Sequence, residues 1–111
     1  MKISDIVKPL ELESLTENFK DSEIRGAYVS DLLSDVMANA RSGDVWITLQ
    51  THINVIAVAT LKALPAVIIT NNRRPDDETI KKANEEGVAL FKTNLSTFET
   101  AGRLYQILKA G

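Results

Sequence analysis

Residues 43–72 constrain the fold of this chain more than any other stretch, because they read as strand, helix and strand in succession. Residues 45–49 and 66–70 are rich in β-branched and other large apolar side chains, which is typical of buried strands. Residues 53–64 between them are apolar on nearly every face, as in a helix buried on most sides. An alternative interpretation makes residues 53–58 a strand. The helical interpretation predicts a right-handed parallel βαβ unit.

The rest of the chain continues the same alternation of strand and helix. Further strands are predicted at residues 24–29 and 88–91, and Leu12 and Leu15 fit a short strand or turn. Helices are predicted to begin near residues 4, 31, 76 and 96. Alternation of this kind places helices on both faces of a parallel sheet. The sequence therefore predicts an α/β fold, a three-layer α/β/α sandwich with a mostly parallel four- to five-stranded sheet.

Several side chains receive specific predictions. Ser30 or Asp31 is expected to cap the second helix, and Trp46 is interpreted as a packing side chain that can serve a subunit contact. The acids of residues 77–78 precede two lysines by four residues, which is the spacing of exposed ion pairs. The apolar face of the second helix is predicted to hold Leu32, Leu33, Val36, Met37 and Ala40. The inward stripe of the last helix is predicted to hold Phe98, Ala101, Leu104, Tyr105 and Leu108.

The length of 111 residues predicts a single domain, with an N-terminal helix and polar loop at 1–23 and a βα core at 24–111. Apolar residues make up 44% of the chain and charged residues 25%, so disorder is not indicated. The net charge is −2, and the arginines at 73 and 74 are followed at once by three acids within residues 76–78. This charge pattern argues against nucleic acid as a partner.

The absence of cysteine excludes disulfides, thiolate catalysis and zinc–thiolate sites. No stretch of about 18 apolar residues is present, so no membrane span is predicted. The N-terminus lacks the pattern of a secretory signal. A cytoplasmic protein without a bound cofactor or metal is therefore expected.

A polar cluster follows each predicted strand of the core. In a parallel sheet these clusters, at residues 30–31, 50–52, 70–72 and 92–94, fall on one edge. Open α/β sheets bind ligands beyond the carboxyl ends of their strands, and helix N-termini at that edge favour anions. The residues predicted to bind a ligand are Ser30, Gln50, Thr51, His52, Asn54, Thr70, Asn71, Asn72 and Arg73.

Each of these side chains also has a structural interpretation. His52 can act as a general base, but it is more readily a helix-start residue that bonds to backbone, and Thr51 and Asn54 can cap the same helix. The asparagines of residues 71–72 tolerate a left-handed backbone, and the arginines of 73–74 can bind a carboxylate or phosphate, or pair with the acids that follow. Phosphate-binding glycine motifs are absent.

Three segments resemble the DRTGG domain family: GAYVSD at 26–31, GDVWITLQTHIN at 43–54, and the stretch from AVIITNN to AGRL at 66–104. That family is named for an Asp-Arg-Thr-type cluster after one strand and Thr-Gly-Gly after the next. Here residues 50–54, QTHIN, and residues 70–72, TNN, stand at those places. Only the threonine at position 70 carries over directly.

The resemblance implies a fold like those of the N-terminal domains of HPr kinase and of Mur ligases. Members of the family occur beside CBS domains and in long phosphotransacetylases, where they are regarded as regulatory or ligand-sensing parts. A kinase activity is not implied, because the phosphate loop of HPr kinase has no counterpart in this sequence.

These observations lead to three hypotheses of decreasing strength. The first is a stand-alone, non-catalytic regulatory domain that works as a homodimer and senses a small anionic metabolite or nucleotide. The homodimer follows from the small size of the domain, which covers its sheet incompletely. The second is an interaction module that docks on a metabolic enzyme complex without any ligand. The third is an enzyme that pairs His52 with Asp31 of a neighbouring subunit.

Overall fold

A five-stranded sheet forms the middle layer of the protein, whose computed structural model describes residues 1–110. In chain order the strands are β1 (Glu13–Ser14), β2 (Gly26–Val29), β3 (Asp44–Thr48), β4 (Ala66–Ile69) and β5 (Ala89–Lys92). Across the sheet they are arranged in the order β1-β5-β4-β3-β2. Strands β2 to β5 run parallel to their neighbours, and β1 runs antiparallel to β5. The predicted mostly parallel sheet is confirmed.

Helices cover both faces of this sheet, as the alternation of strand and helix predicts. In chain order they are α1 (Ile3–Val7), α2 (Leu33–Asn39), α3 (Asn54–Lys62), α4 (Asp77–Glu86) and α5 (Thr97–Ala110). Helices α2, α3 and α4 bury their apolar side chains on one face, together with Val67 and Leu90. Helices α1 and α5 pack on the other face, together with Val45 and Phe91. The predicted three-layer α/β/α arrangement is thus confirmed.

The central βαβ unit is the most completely buried part of the fold. Every residue of β3 and β4 is buried, and Trp46 lies in the core with none of its surface exposed. Its indole Nε1 donates a 2.8 Å hydrogen bond to the carbonyl oxygen of Ser30, which satisfies the one polar atom of the side chain. The prediction that Trp46 packs in the core is therefore confirmed, and the prediction that it serves a subunit contact is wrong. Residues 53–58 belong to α3 and its first turn, so the strand alternative is wrong as well.

Three helices differ from their predicted surfaces. Leu32 and Met37, both predicted on the apolar face of the second helix, are 63% and 40% exposed, and Leu61 of the mostly buried α3 is 73% exposed. The lysines of α4 do not pair with the acids four residues before them. Instead Lys82 pairs with Glu86 at 3.2 Å, and Arg74 approaches Asp77 at 3.9 Å.

The last helix packs on the sheet through a narrower face than predicted. Leu104 is fully buried, and Ala101 and Leu108 are partly buried against the core. Phe98 and Tyr105, predicted to lie on the same inward stripe, are 87% and 63% exposed. These two side chains point past the sheet because α5 lies against β2 and β3 without covering β2 completely.

The N-terminal segment is integrated into the domain. The hydroxyl of the buried Thr16 accepts a hydrogen bond from the amide of Leu90 at 3.2 Å, and Phe19 packs edge-on against Phe91 at 5.6 Å. Within residues 1–110, no helix has the length and apolar character needed to cross a bilayer.

Candidate functional site

The carboxyl ends of the four parallel strands meet at one edge of the sheet, as predicted. Hydrogen bonds extend the ladder beyond the strands here: the amide of Thr70 donates to Thr48 O at 3.1 Å, and that of Thr93 donates to Ile69 O at 2.9 Å. We call this edge the C-terminal rim. It comprises residues 30–31, 48–54, 70–74 and 92–94.

Asp31 joins the ends of β2 and β3 on the rim. Its Oδ1 accepts hydrogen bonds from the Thr48 hydroxyl at 2.9 Å and from the amide of Leu49 at 2.7 Å. The carbonyl oxygen of Asp31 accepts a third bond, from the side-chain amide of Gln50 at 2.8 Å. Asp31 and Gln50 therefore hold the rim together, which gives Gln50, a predicted ligand residue, a structural role.

Ser30 and Asp31 do not cap α2 as predicted. The N-cap residue of α2 is Leu32, which makes no side-chain cap. The Ser30 hydroxyl instead accepts a 3.2 Å hydrogen bond from the amide of Leu32. Ser30 also lies next to Asp35, whose carboxyl pKa is lowered from 3.8 by hydrogen bonds from Ser30, Asn39 and Tyr28. Asp35 consequently carries a negative charge beside the β2 end of the rim at neutral pH.

His52 is an exposed residue at the start of α3. Its Nδ1 accepts a 3.3 Å hydrogen bond from the amide of Asn54, which confirms its interpretation as a helix-start residue that bonds to backbone. The N-cap residue is Ile53, and no side chain caps it, so the caps predicted for Thr51 and Asn54 are absent. The carbonyl oxygen of Thr51 instead accepts a 2.9 Å hydrogen bond from the hydroxyl of Thr79 in α4.

The turn after β4 has the left-handed backbone predicted for its two asparagines. Asn71 and Asn72 have φ angles of 59° and 57°, and both residues are exposed. Their amides donate to the carbonyl oxygens of Leu95 at 2.9 Å and Thr93 at 2.8 Å, so the turn is held against the segment that follows β5. The ammonium of Lys92 donates to the side-chain oxygen of Asn72.

The residues on either side of this turn differ in accessibility. Thr70 is fully buried, and its hydroxyl lies 2.6 Å from that of Thr97 at the start of α5, which makes it a structural residue. Arg73 is exposed, and its hydrogen bond within residues 1–110 goes from Nη1 to the carbonyl oxygen of Leu49 at 3.3 Å. The alternative prediction is that the arginines pair with the acids that follow them. It is confirmed for Arg74, which approaches Asp77 at 3.9 Å.

The rim is divided electrostatically. Asp31 lies at the β2 end, whereas Arg73 and Lys92 lie at the β4 and β5 end, beside the asparagine turn. Lys92 lies on the predicted edge but outside the predicted ligand set. The sequence signal that could have placed Lys92 in the ligand set is its position at the end of β5, where the polar cluster of that strand begins. Within the described part of the chain, no three histidine or carboxylate side chains converge as metal ligands would.

The sequence profile of the DRTGG domain family matches residues 5–107, nearly the whole chain. The chain belongs to the DRTGG domain family. A search of curated proteins gave no match.

The same fold is present in a solved structure that contains a DRTGG domain. It is the crystal structure of the CBS and DRTGG domains of the regulatory region of Clostridium perfringens pyrophosphatase, complexed with its activator, diadenosine tetraphosphate. The two structures superpose with a TM-score of 0.69 at 16% sequence identity, over 94% of this chain and 46% of the other. The chain thus spans about half of that protein's structure, and the likeness at this identity establishes the shared fold.

Residues 71–72 stand where the resemblance places the two glycines of Thr-Gly-Gly, and their backbone is one that glycine adopts readily. Glycine adopts positive φ without steric cost, and asparagine tolerates it better than other residues with a Cβ atom. Asn71 and Asn72 both lie in this region. The Thr-Asn-Asn sequence therefore forms a turn that two glycines would also favour, and it exposes two amide side chains.

Proposed function

We propose that this DRTGG domain is a non-catalytic regulatory domain that binds a small anionic ligand, a nucleotide, at the Arg73 side of the C-terminal rim. The observation that carries the proposal is the position of Arg73 and Lys92 on either side of the exposed Asn71–Asn72 turn. Two cations and two amide side chains on a rigid turn match the phosphate groups of a nucleotide.

The contacts of Arg73 leave it suited to this role. Its bond to the carbonyl oxygen of Leu49 is long, at 3.3 Å, and uses one N–H of a guanidinium that has several. Arg74 approaches the carboxylate of Asp77 and is therefore partly neutralised. An incoming phosphate consequently gains more from Arg73 than from its neighbour.

The rim adds backbone donors to these side chains. Helix α5 begins beside the turn, and its N-terminus carries a partial positive charge. One of its first amides, that of Glu99, already donates to the Ser96 hydroxyl at 3.0 Å, as expected for a capped helix. The dipole of α5 still adds to the positive potential near Arg73 and Lys92.

The comparison supports the class of ligand. The regulatory region of the pyrophosphatase binds diadenosine tetraphosphate, a nucleotide rich in phosphate groups. Because that region also contains CBS domains, the assignment to the rim rests on the residues of this chain. The predicted ligand residues Ser30, Gln50 and Thr70 are proposed to support the site without touching the phosphates, since their side chains bind within the protein. Thr51 is proposed to support the site through its carbonyl oxygen, which accepts a hydrogen bond from Thr79.

Isothermal titration tests the proposal. The titrants are ATP, ADP, diadenosine tetraphosphate and inorganic tripolyphosphate, which separates recognition of the phosphates from recognition of the base. We expect Arg73→Ala to weaken binding at least about tenfold, as for loss of a charge-assisted contact. The matched control is Arg74→Ala, which removes the same charge one residue away and should change binding much less. No heat with any titrant, or equal losses in both variants, would overturn the proposal.

A second function is a docking module that needs no ligand. It is favoured by the exposure of Leu61 at 73% and Leu32 at 63%, two large aliphatic side chains on the face opposite α5. Affinity capture from the native host, with Leu61→Ser as the comparison, tests it. A stoichiometric partner enzyme that is retained by the wild type, lost by the variant and indifferent to nucleotides would support this function over the first.

A further inference from the structure

Helix α5 exposes a second stripe of side chains beside the one that packs on the sheet. The stripe consists of Phe98, Gly102, Tyr105 and Lys109, which are separated by four, three and four residues and therefore lie on one side of the helix. Phe98 and Tyr105 are 87% and 63% exposed. The ammonium of Lys109 lies 5.8 Å from the ring centroid of Tyr105. This 4-3-4 spacing is that of the contact seam between two packed helices.

Gly102 is unexplained by the protomer. It lies in the interior of a 14-residue helix, where glycine is less favourable than alanine. A Cβ atom at this position would meet nothing within 4 Å, so no neighbour inside the protomer requires its absence. Glycine at a helix surface allows another element to approach closely. The position therefore indicates a contact from outside the protomer.

The stripe borders an apolar groove between α5 and the edge of the sheet. The groove has a volume of about 410 Å³, and Ala27 and Val29 of β2 and Ile47 of β3 form its floor. Ala27 and Val29 are exposed because α5 does not reach over β2. Monomeric proteins rarely leave aromatic and aliphatic side chains contiguous on their surface without a use.

We propose that this groove and the α5 stripe form the twofold interface of a homodimer, in which the two α5 helices pack antiparallel. The order of residues along the stripe points to a second copy. About a midpoint between Arg103 and Leu104, an antiparallel copy places Tyr105 on Gly102 of the partner and Lys109 on Phe98 of the partner. Each tyrosine thus meets a glycine, and each lysine meets the aromatic face of a phenylalanine.

The polarity of the helix supports the same arrangement. Helix α5 carries Glu99 in its first turn and Lys109 in its last. Glu99 is already paired with Arg103 of its own helix at 3.1 Å, so antiparallel packing gains chiefly because it opposes the two helix dipoles. A parallel pair would instead place like ends of the two dipoles together. A different protein as partner would not require a large side chain, Tyr105, and a glycine, Gly102, to be complementary to each other on the same stripe.

The exposed aromatic area supplies a large part of what a specific interface of small size requires. Phe98 and Tyr105 together expose on the order of 300 Å² in each protomer, since each aromatic side chain can bury about 150–250 Å². In a twofold-symmetric dimer the two protomers together contribute twice this apolar area, and Ala27, Val29 and Leu108 add to it. Specific interfaces bury about 1,200–2,000 Å² in total, so the aromatic pair alone supplies a large part of the lower limit.

Sedimentation equilibrium of the 111-residue chain over a range of concentrations tests the interface. We expect a reversible dimer whose dissociation constant rises more than about tenfold in Phe98→Ala and in Tyr105→Ala, as for central aromatic anchors. Gly102→Leu should give a monomer that remains folded, because the position is exposed and a Cβ atom there would meet nothing within 4 Å in the protomer. Leu61→Ala is the matched control, since Leu61 is 73% exposed and lies on the opposite face. Circular dichroism verifies the fold of every variant.

A pair of spin labels defines the orientation, and the chain has no cysteine that would interfere. In an antiparallel pair the two labels at Gln106→Cys should lie about 8 Å apart along the helix axis, and those at Ala110→Cys about 20 Å. Similar separations at both positions would exclude the antiparallel arrangement.

A monomer at every concentration, or an equal loss of dimerisation in Leu61→Ala, would overturn the interface. Because the interface does not involve the rim, Arg73→Ala should leave dimerisation unchanged, so this proposal and the ligand proposal fail independently.

Discussion

The carboxylate of Asp31 accepts a 2.9 Å hydrogen bond from the hydroxyl of Thr48, and this bond ties the end of β2 to the end of β3. Thr48 is fully buried, and its hydroxyl also accepts from the amide of Gln50 at 3.1 Å. A buried hydroxyl that donates once and accepts once is satisfied, and it fixes the direction in which the rim leaves the sheet.

A double-mutant cycle between Asp31→Ala and Thr48→Val should show a coupling free energy of about 1 kcal/mol, the net value of one hydrogen bond to a charged group that is partly solvated. The free energies of unfolding are measured by urea denaturation. Asp21→Ala is the control partner for Thr48→Val, because Asp21 binds Ser4 near the N-terminus and should be additive. Coupling within about 0.3–0.5 kcal/mol of zero would contradict the prediction.

The left-handed turn predicts unequal effects of two substitutions at Asn71. Asn71→Gly should be tolerated or slightly stabilising, whereas Asn71→Val should cost more than about 1 kcal/mol, because a β-branched residue is strained at positive φ. Asn94→Val is the matched control, since Asn94 is also exposed on the rim but is not at positive φ. Equal losses at positions 71 and 94 in urea denaturation would refute the conformational explanation.

Two glycines with equally open surroundings should respond in opposite ways to alanine. A Cβ atom at either Gly87 or Gly102 would meet nothing within 4 Å, but Gly87 has a φ of 72° and ends α4 in the left-handed region. Gly87→Ala should therefore destabilise the protein by about 1 kcal/mol. Gly102→Ala should stabilise the monomer by about 0.5–1 kcal/mol through helix propensity.

Thermal or urea unfolding at protein concentrations below those at which the proposed dimer forms measures both changes. Two changes of the same sign would show that backbone conformation does not decide the outcome at these positions.

The phenol of Tyr28 donates a 2.8 Å hydrogen bond to the carboxylate of Asp35. This bond, together with desolvation and the negative charge of Asp35, raises the pKa of Tyr28 above 10.0. In a Tyr105→Phe variant Tyr28 is the one remaining tyrosine, so its ionisation can be followed by ultraviolet absorbance. We expect a midpoint above 10.0 that falls toward 10.0 when Asp35→Asn is added. A midpoint that is indifferent to Asp35→Asn would contradict the hydrogen bond.

The lowered pKa of Asp35 also predicts that the free energy of unfolding depends on pH in the acidic range. The pKa of its carboxyl is lowered from 3.8 in the folded protein by Ser30, Asn39 and Tyr28, so the unfolded chain binds the proton more readily. This stabilisation is present above pH 3.8, and it is lost as the pH falls through the lower pKa that Asp35 has in the folded protein. In Asp35→Asn the free energy of unfolding should fall less steeply over this acidic range. An Asp77→Asn variant, at an exposed residue, serves as the control.

The path of the strands and the geometry of the asparagine turn could be predicted from the sequence. Strand–helix–strand alternation leaves few connections other than right-handed crossovers, and these align the carboxyl ends of the strands. Consecutive asparagines after a strand likewise indicate a left-handed turn, and Asn71 and Asn72 adopt it. Both features depend on residues that are close together in the chain.

The roles of Thr70 and Asp31 could not be predicted, because their partners are distant in the sequence. The hydroxyl of Thr70 meets Thr97, and Asp31 meets Thr48, 27 and 17 residues away. A polar side chain at a strand end looks the same in a sequence whether it faces a ligand or completes a bond within the protein. The ligand set predicted from the sequence therefore contains structural residues such as Thr70.

The exposed positions of α5 were mispredicted for a geometric reason. Phe98 and Tyr105 lie about 60° around the helix axis from Ala101 and Leu108, so all four appear to share one apolar face. The width of sheet beneath the helix decides which part of that face is covered. Since the sheet ends at β2, Phe98 and Tyr105 project beyond it.

The two-residue strand β1 has a consequence for how copies of this domain can aggregate. It occupies the outer side of β5, where the amide of Leu15 also donates to the carbonyl oxygen of Leu90 at 2.8 Å, so that side offers little backbone to a newcomer. The opposite border, β2, is paired with β3 on its inner side only, so the backbone groups that point outward from its four residues have no strand partner. Edge-to-edge joining can therefore stop at a pair, whereas a domain with two long borders could add copies indefinitely and grow into a fibril.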